Sequence, residues 1–343
     1  MVYNNRVMDP VSIILKVWNA SRHVKLCLES ILQDSSFPFE LIIIDNGSRP
    51  KLKDYLRKVS QSDARIRLIE NPRNLGPGHA NRQGASVSEG VNNLICLLDS
   101  DVLVPNGWLG RLVDDFYKHP GLKMVAPMQP EEGVVYPFGD AGEDSKQVWQ
   151  DVKQRHPDLS PLQQFLAYSQ GLDMQAFEAA VLKANPAGIR VIEAPPDFLS
   201  SCCVLVDGGF AAEVGGIADP DFRGYGSEDV DLCWRIEQAG GQVAKTTSVY
   251  VHHFQGASLE DNQVNRSTSL RRANQILYEK WKEWLLEQVA HKTGETGIDL
   301  VEYLESHFIY SALARNTSFI DDLRSRLANP DVPEDIVWRP HPI

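Results

Sequence analysis

Pairs of aspartates two residues apart recur in this chain, at Asp99/Asp101, Asp219/Asp221 and Asp229/Asp231. Only the first directly follows an unbroken apolar run, the LICLL at 94–98. Two carboxylates leaving a rigid strand together can hold a hard divalent cation against a diphosphate. Mg²⁺ and Mn²⁺ prefer oxygen ligands and share one or two carboxylates with substrate phosphates. An isolated pair of this kind is more often an acidic turn or a helix cap; the strand before Asp99 is what favours the cation. Asp45 closes a second apolar run, the LIII at 41–44. There a carboxylate can accept from a ribose hydroxyl or a base N–H, although Asp45-Asn46-Gly47-Ser48 is also good turn chemistry. The segment GSEDVDLCWR at 226–235 reads as a helix start, with Ser227 as cap and Glu228 and Asp229 in the first turn, where acids suit the dipole. Asp231 and Arg235 stand i,i+4, the spacing of a structural ion pair. A carboxylate at an exposed helix start is also well placed as a general base. His252 and His253 end an apolar run and read either as metal ligands or as satisfied polar groups.

The elements that must position these groups alternate. Strands are expected at Val11–Val17 (apolar but for one Lys), Phe39–Ile44, Ile66–Ile69 and Asn93–Leu98. Helices are expected from Ser21, its cap, with Val24, Cys27, Leu28, Ile31 and Leu32 on one face, over about 50–60, and from Gly78 to Glu89. Such alternation indicates βαβ units and a parallel sheet, and ligands of such sheets bind beyond the strands' carboxyl ends. Those ends carry Val17-Trp18-Asn19-Ala20, Asp45 to Ser48, Asn71 to Gly76, and Asp99-Ser100-Asp101, the layout of a nucleotide-type site. No GxGxxG follows the first strand, so the dinucleotide fingerprint is missing. Residues 129–195 break the rhythm: Gly, Pro and acidic residues lead into a Gln-rich helical stretch and the pair Pro195-Pro196. They read as an insertion of one or two helices, too short for a domain. The pattern resumes with strands at Phe198–Val206 and Gln242–Val251. From about Ser267 the chain reads as helical, with Leu270, Ala273, Ile276, Leu277, Trp281, Trp284 and Val289 on one face.

Taken together, VSIILKVWNAS, ELIIIDNGS, NPRNLGPGHANRQG, NLICLLDSDV, GYGSEDVDLCWR and VHHFQGAS, in this order over about residues 10–280, resemble the family 2 glycosyltransferases. The resemblance implies the GT-A fold, an α/β Rossmann-like domain. Its mostly parallel central sheet has helices on both faces, here with the helical insertion and a helical C-terminal extension. It divides the chain into a catalytic domain at 1–266, the insertion on its acceptor side, and an extension at 267–343. It implies an inverting, metal-assisted transfer from a nucleotide-diphosphate sugar, UDP favoured, to a hydroxyl of a carbohydrate, lipid-linked or protein acceptor. In such enzymes the second-strand acid contacts the base, a role that falls to Asp45. The first acid of the D-x-D contacts ribose or sugar and the second the metal, roles that fall to Asp99 and Asp101. The second acid of the ED pair is the base, here Asp229, with Glu228 and Trp234 toward the acceptor. The His of H-x-x-G-x-S completes the site for Mn²⁺ or Mg²⁺; His253, Gly256 and Ser258 match, whereas His252 does not. Val17, Asn19, Gly47, Asn74, Gly76, Arg82 and Ser100 fall on the donor side. The chain departs from the family pattern in Val17-Trp18 before Asn19, in Ala80-Asn81-Arg82, and in Cys202-Cys203 where a Gly-Ala pair is usual.

Composition narrows the alternatives. The 343 residues, 43% apolar and 23% charged, suffice for a sizeable core and exclude a disordered or fibrous chain. A net charge of -12, with no basic stripe, argues against nucleic acid as partner. No apolar run reaches the roughly 18–20 residues of a membrane span, and MVYNNRVMDP has no apolar segment of a secretory signal. The five cysteines, without a CxxC, read as buried thiols of a cytoplasmic protein. A peripheral place at the cytoplasmic membrane face and self-association stay open. Trp281 and Trp284, flanked by Arg271, Arg272, Lys280 and Lys282, are expected to be largely buried on the protein's own core rather than on a membrane. The other class of function is a catalytically silent nucleotide-sugar or glycan-binding subunit on the same fold. A sugar nucleotidyltransferase would need a Gly-rich loop after the first strand, which is missing.

Overall fold

The computed structural model describes residues 2–3, 6–7, 10–34, 36–88, 94–140, 142–193, 197–265, 270 and 272–284. Pro195 and Pro196, Ser267, Arg271, Val289 and the rest of 285–343 lie outside the described residues.

Two short strands, β1 (Val2–Tyr3) and β2 (Arg6–Val7), form an antiparallel pair. The alternation then runs β3 (Val11–Val17), α1 (Ser21–Gln33), β4 (Phe39–Asp45), α2 (Pro50–Ser62), β5 (Ile66–Glu70), α3 (Pro77–Val87) and β6 (Leu94–Asp99). A short β7 (Val102–Leu103) precedes α4 (Trp108–Lys118) and β8 (Leu122–Met128). The insertion supplies α5 (Ser145–Arg155), α6 (Pro161–Tyr168), α7 (Met174–Ala184) and β9 (Ile189–Val191). Then follow β10 (Cys203–Asp207), α8 (Gly208–Glu213), α9 (Glu228–Gln238), β11 (Gln242–Tyr250), β12 (His252–His253) and α10 (Ala257–Asp261). Residues 272–284 are helical.

The main sheet has the order β5-β4-β3-β6-β10-β8-β11-β9. Strands β5, β4, β3 and β6 run parallel, as do β8 and β11. The sheet is more mixed than expected, because β10 opposes both β6 and β8, and β9 opposes β11. The chain re-enters the sheet from the insertion side, so β10 is laid down reversed. Strands β3 and β4 are apolar almost throughout because both sheet faces are covered. One face packs Val24, Cys27, Leu28 and Ile31 of α1, Leu52 and Leu56 of α2, and Leu109, Leu112, Val113 and Phe116 of α4. The other packs Ala80 of α3, Ala211 of α8, and Val230, Leu232, Cys233, Trp234 and Ile236 of α9. Leu277, Tyr278 and Trp281 of the 272–284 helix belong to this second cluster, so the described part of the expected extension shares the core of the sheet. All five cysteines are free and buried.

Two helix caps differ from expectation. Asn19 and Ala20 are both left-handed, which swings the backbone so that Ala20 takes the cap position and Ser21 is already inside α1. Ser227 caps α9 in a left-handed conformation with no bond to the helix; its hydroxyl donates to Asn274 instead, at 2.9 Å.

The insertion is larger in content than its composition suggests, with three helices and an edge strand. Its core is aromatic: Tyr136, Trp149, Phe165, Tyr168 and Phe177 close around Tyr250, His252 and Phe254. Trp149 is fully buried, its ring 4.4 Å from that of His252 in an edge-on contact. Trp149→Ala is therefore expected to cost about 3–5 kcal/mol, read as a lowered midpoint in urea unfolding. An unchanged midpoint would mean that the insertion does not fold as one unit with the sheet.

Candidate functional site

The small sheet pairs His252 with Leu103 and His253 with Val102, which brings the histidines beside the end of β6. Asp99, Asp101 and His253 each offer one ligand atom within a 4.8 Å cluster, the one such group among the described residues. His253 Nε2 lies 3.3 Å from Asp101 Oδ1 and 3.9 Å from Asp99 Oδ2. His253 Nδ1 is 3.0 Å from Gln129 Oε1. An amide oxygen only accepts, so Nδ1 carries a proton and Nε2 is the nitrogen turned to the carboxylates. Asp101 is buried and held from the other side: its Oδ2 accepts from the N–H groups of Gly256 and Ala257, at 3.2 and 3.1 Å. Gly256, at φ +93, supplies the left-handed turn that aims these donors. Burial works against charge on Asp101, but His253 beside it holds its pKa below the usual carboxylate range. Burial likewise opposes a cationic His253, and Cys202 and Asp101 hold its pKa well above the usual imidazole value. A set of two carboxylates and an imidazole suits Mn²⁺ or Mg²⁺. In the other two D-x-D pairs one acid each is held in an ion pair, Asp219 with Lys280 and Asp231 with Arg235.

Across the site, Lys16 stands in register with Asp99 on the neighbouring strand. Its ammonium lies 2.9 Å from Asp99 Oδ1 and donates to the Ser201 carbonyl at 3.2 Å. The Ser201 N–H donates to Asp229 Oδ2 at 3.3 Å. A continuous polar chain thus joins Asp99, Lys16, Ser201 and Asp229. Burial would lower the Lys16 pKa, but Asp99 outweighs it and the net shift is upward. Glu228 is buried, its Oε2 accepting from the Gly226 N–H at 3.0 Å; Asp229 is half-buried. Burial, with Asp229 next to it, pushes the Glu228 pKa up to about 8, and burial also raises that of Asp229.

The donor-side residues divide. Gly47, at φ +81, lies so close to the Arg73 backbone that a Cβ would sit 2.5 Å from its Cα, so this glycine closes the loop. Asp45 is fully buried: Oδ1 accepts from the Ser48 N–H at 3.0 Å, and Oδ2 has no hydrogen-bond partner. Asn74 Oδ1 accepts from Gly76 N–H and Asn46 Nδ2, and Gly76 is the left-handed cap of α3. Ser100 is buried between the two acids. Some expectations are corrected. The Val17 side chain is in the core, so only its backbone, accepting from Asn46, faces the loops. The polar groups of Asn19 are spent on Ser48, Arg49 and Asn262, tying three loops together. Arg82 reaches the Ala218 carbonyl and His79. Trp234 is fully buried against Trp281 and Trp284 and has no surface for an acceptor. Conversely, Lys16, Gln129 and Ser201 were not anticipated. The signal for Lys16 was present, a lone charge at the end of an apolar strand. Gln129 follows β8 as Asp101 follows β6, and only the fold sets them together.

A Glu228 pKa raised above its unfolded value stabilises the protein below about pH 4.5, and that stability is lost as pH rises through about 8. Glu228→Gln should therefore raise the melting temperature by several degrees at pH 9 and by less at pH 5. Equal gains at both, seen by differential scanning calorimetry, would show that Glu228 is not held neutral.

Residues 12–174 match the model of glycosyl transferase family 2. An uncharacterized glycosyltransferase of Haemophilus influenzae is 34% identical over 104 residues, 30% of this chain and 41% of its own. The pre-mycofactocin glycosyltransferase of Mycobacterium tuberculosis is 24% identical over 223 residues, 64% of this chain and 38% of its own. The chain thus spans about two fifths of the length of these curated relatives. Among solved structures, GalNAc-T7 with UDP, GalNAc and Mn²⁺ superposes with a TM-score of 0.53 at 15% identity, over 97% of this chain and 58% of that one. The mannosyltransferase PcManGT from Pyrobaculum calidifontis, with GDP-Man and Mn²⁺, superposes at 0.51 and 12%, over 95% and 89%. At such identities the two structures speak for the fold. Sequence match and architecture agree: residues 12–174 match glycosyl transferase family 2, and the fold is the GT-A fold of the glycosyltransferase structures.

Proposed function

We propose that this chain transfers a sugar from a nucleotide-diphosphate sugar, UDP favoured, to an acceptor hydroxyl with inversion at the anomeric carbon. The observation that carries this reading is the placement of the Asp99–Asp101–His253 cluster and Asp229 at one edge of the sheet, joined through Lys16 and Ser201. Asp101 and His253, with the free oxygen of Asp99, would hold the cation. A bound Mn²⁺ or Mg²⁺ supplies charge neutralisation at the departing diphosphate. Both solved neighbours hold Mn²⁺ with a nucleotide or nucleotide sugar, which supports the metal without choosing between uracil and guanine.

Asp229 takes the acceptor's proton as the hydroxyl attacks from the face opposite the diphosphate. Its raised pKa suits that task, and the Ser201 N–H fixes one of its oxygens. Glu228 is the more buried acid and stays protonated to about pH 8, so it serves the site as a neutral neighbour rather than as the base. On the donor side, Asp45 Oδ2, which makes no hydrogen bond and lies 3.8 Å from the Lys53 ammonium, is the acceptor for a base N–H. The acceptor is a carbohydrate, a lipid-linked or a protein hydroxyl. Among the described residues no helix is long and apolar enough to cross a membrane.

Two substitutions separate the roles. Asp101→Ala is expected to abolish both transfer and Mn²⁺-dependent nucleotide binding while the fold persists. Asp229→Asn should lower transfer by about 100-fold or more, within the range for a lost general base, and leave donor binding within a few-fold of the parent. Calorimetric titration with UDP and GDP, with and without Mn²⁺, measures the binding. Equal loss of donor affinity in Asp229→Asn would assign Asp229 to the donor pocket, and donor binding without turnover in the parent would favour the silent subunit.

A further inference from the structure

We propose that Lys16 is a positioning residue that limits Asp99 to one free oxygen toward the cation, so that the metal centre stays incomplete until the nucleotide arrives. This rests on the metal-centre reading above. Lys16 occupies the sheet position next to Asp99, and its side chain is only 9% exposed. A buried ammonium at that place needs a partner, and the geometry gives it Asp99 Oδ1 at 2.9 Å and the Ser201 carbonyl at 3.2 Å. The two oxygens of Asp99 are thereby divided. Oδ1 belongs to Lys16, and Oδ2 faces His253 Nε2 at 3.9 Å. With one atom each from Asp99, Asp101 and His253, an octahedral cation of about six positions keeps about three for phosphate oxygens and water. If Asp99 turned both oxygens inward, the protein would hold the ion more fully by itself. The diphosphate would then find fewer open positions. The lysine therefore couples metal retention to donor binding. It acts through Asp99 and needs no contact with the substrate.

The test uses the full chain and reads Mn²⁺ binding by electron paramagnetic resonance, without turnover. In Lys16→Met, Mn²⁺ should bind about tenfold more tightly in the absence of nucleotide, an effect of the size usual for partners of metal ligands. UDP should then improve the affinity less than it does in the parent. The same substitution in an Asp99→Asn background should change Mn²⁺ affinity less than about twofold, because the carboxylate through which the lysine acts is gone. Unchanged or weaker Mn²⁺ binding in Lys16→Met overturns the proposal. So does equal tightening in both backgrounds, which would be a general effect of removing a positive charge. Should Lys16→Met alone fail to fold, the Asp99→Asn protein with Lys16 intact must show the same low Mn²⁺ affinity as the Lys16→Met/Asp99→Asn pair; a higher or lower affinity in the pair would overturn the proposal. If the parent binds no Mn²⁺, the metal-centre reading itself falls, and this inference with it. Mn²⁺ binding that is lost in Asp101→Ala but indifferent to Lys16 spares the first and removes only the second.

Discussion

Crowding of like charge at the end of a parallel sheet is the constraint on which the site depends. Asp99, Asp101, Glu228 and Asp229 converge there, all four more than half-hidden from water, and carboxylates so placed repel and resist ionisation. The fold offsets this in three different ways. Lys16 neutralises Asp99 from the adjacent strand, His253 and two backbone N–H groups hold Asp101, and Glu228 keeps its proton. The Glu228 pKa is raised and the Asp101 pKa is lowered, and the difference arises from neighbours rather than from residue type. Such a division of pKa values among adjacent acids is how a site separates binding from base chemistry.

The insertion contributes to the same site at a distance. His253 is set by β12, and β12 is gripped by the aromatic cluster through the preceding His252, whose buried ring meets Trp149, Phe165, Tyr168 and Phe254. Burial holds the His252 pKa well below the usual value, so this histidine is neutral packing while its neighbour faces Asp99 and Asp101. Two adjacent histidines thus point to opposite environments, as alternation along a strand requires. The aromatic cluster also buries Glu178, which binds Arg111 on α4 and the Tyr250 N–H. The insertion is tied to the sheet by charge as well as by ring packing.

Much of the first half was legible because local pattern and tertiary role agree there. The apolar runs before Asp45 and Asp99 are strands buried on both faces, and the acids at their ends emerge at the sheet's carboxyl edge. The ordered motifs also singled out Asp101 and His253, which short segments after β6 and β11 bring together, and Asp229, which stands in the first turn of α9. What was not legible depends on long-range pairing. The reversed β10 cannot be read from its apolar residues, since a buried strand looks alike in either direction. Trp234 shares a segment with the ED pair, yet helical rotation turns it into the core while Asp229 stays half-exposed. Asn19 looked like a ligand contact because polar residues at strand ends often are. Its left-handed backbone and three loop contacts use the same polarity for closure.

The 272–284 helix shows how the same residues can suggest a membrane surface and yet build an interior. Trp281 is buried, and its indole N–H donates to Asp231 at 2.8 Å; Trp284 is half-buried against the same core. Lys280, which would extend a basic face, instead reaches both Asp219 at 2.5 Å and Asp231 at 2.7 Å. Asp231 is fully buried and also holds Arg235, so its carboxylate requires two cations and the indole as partners there. That requirement fixes the helix on α9, directly behind the acids of its first turn. Trp281 and Lys280 are therefore consumed in closing the back of the site, and what these two would contribute to an anionic lipid surface is already spent within the protein.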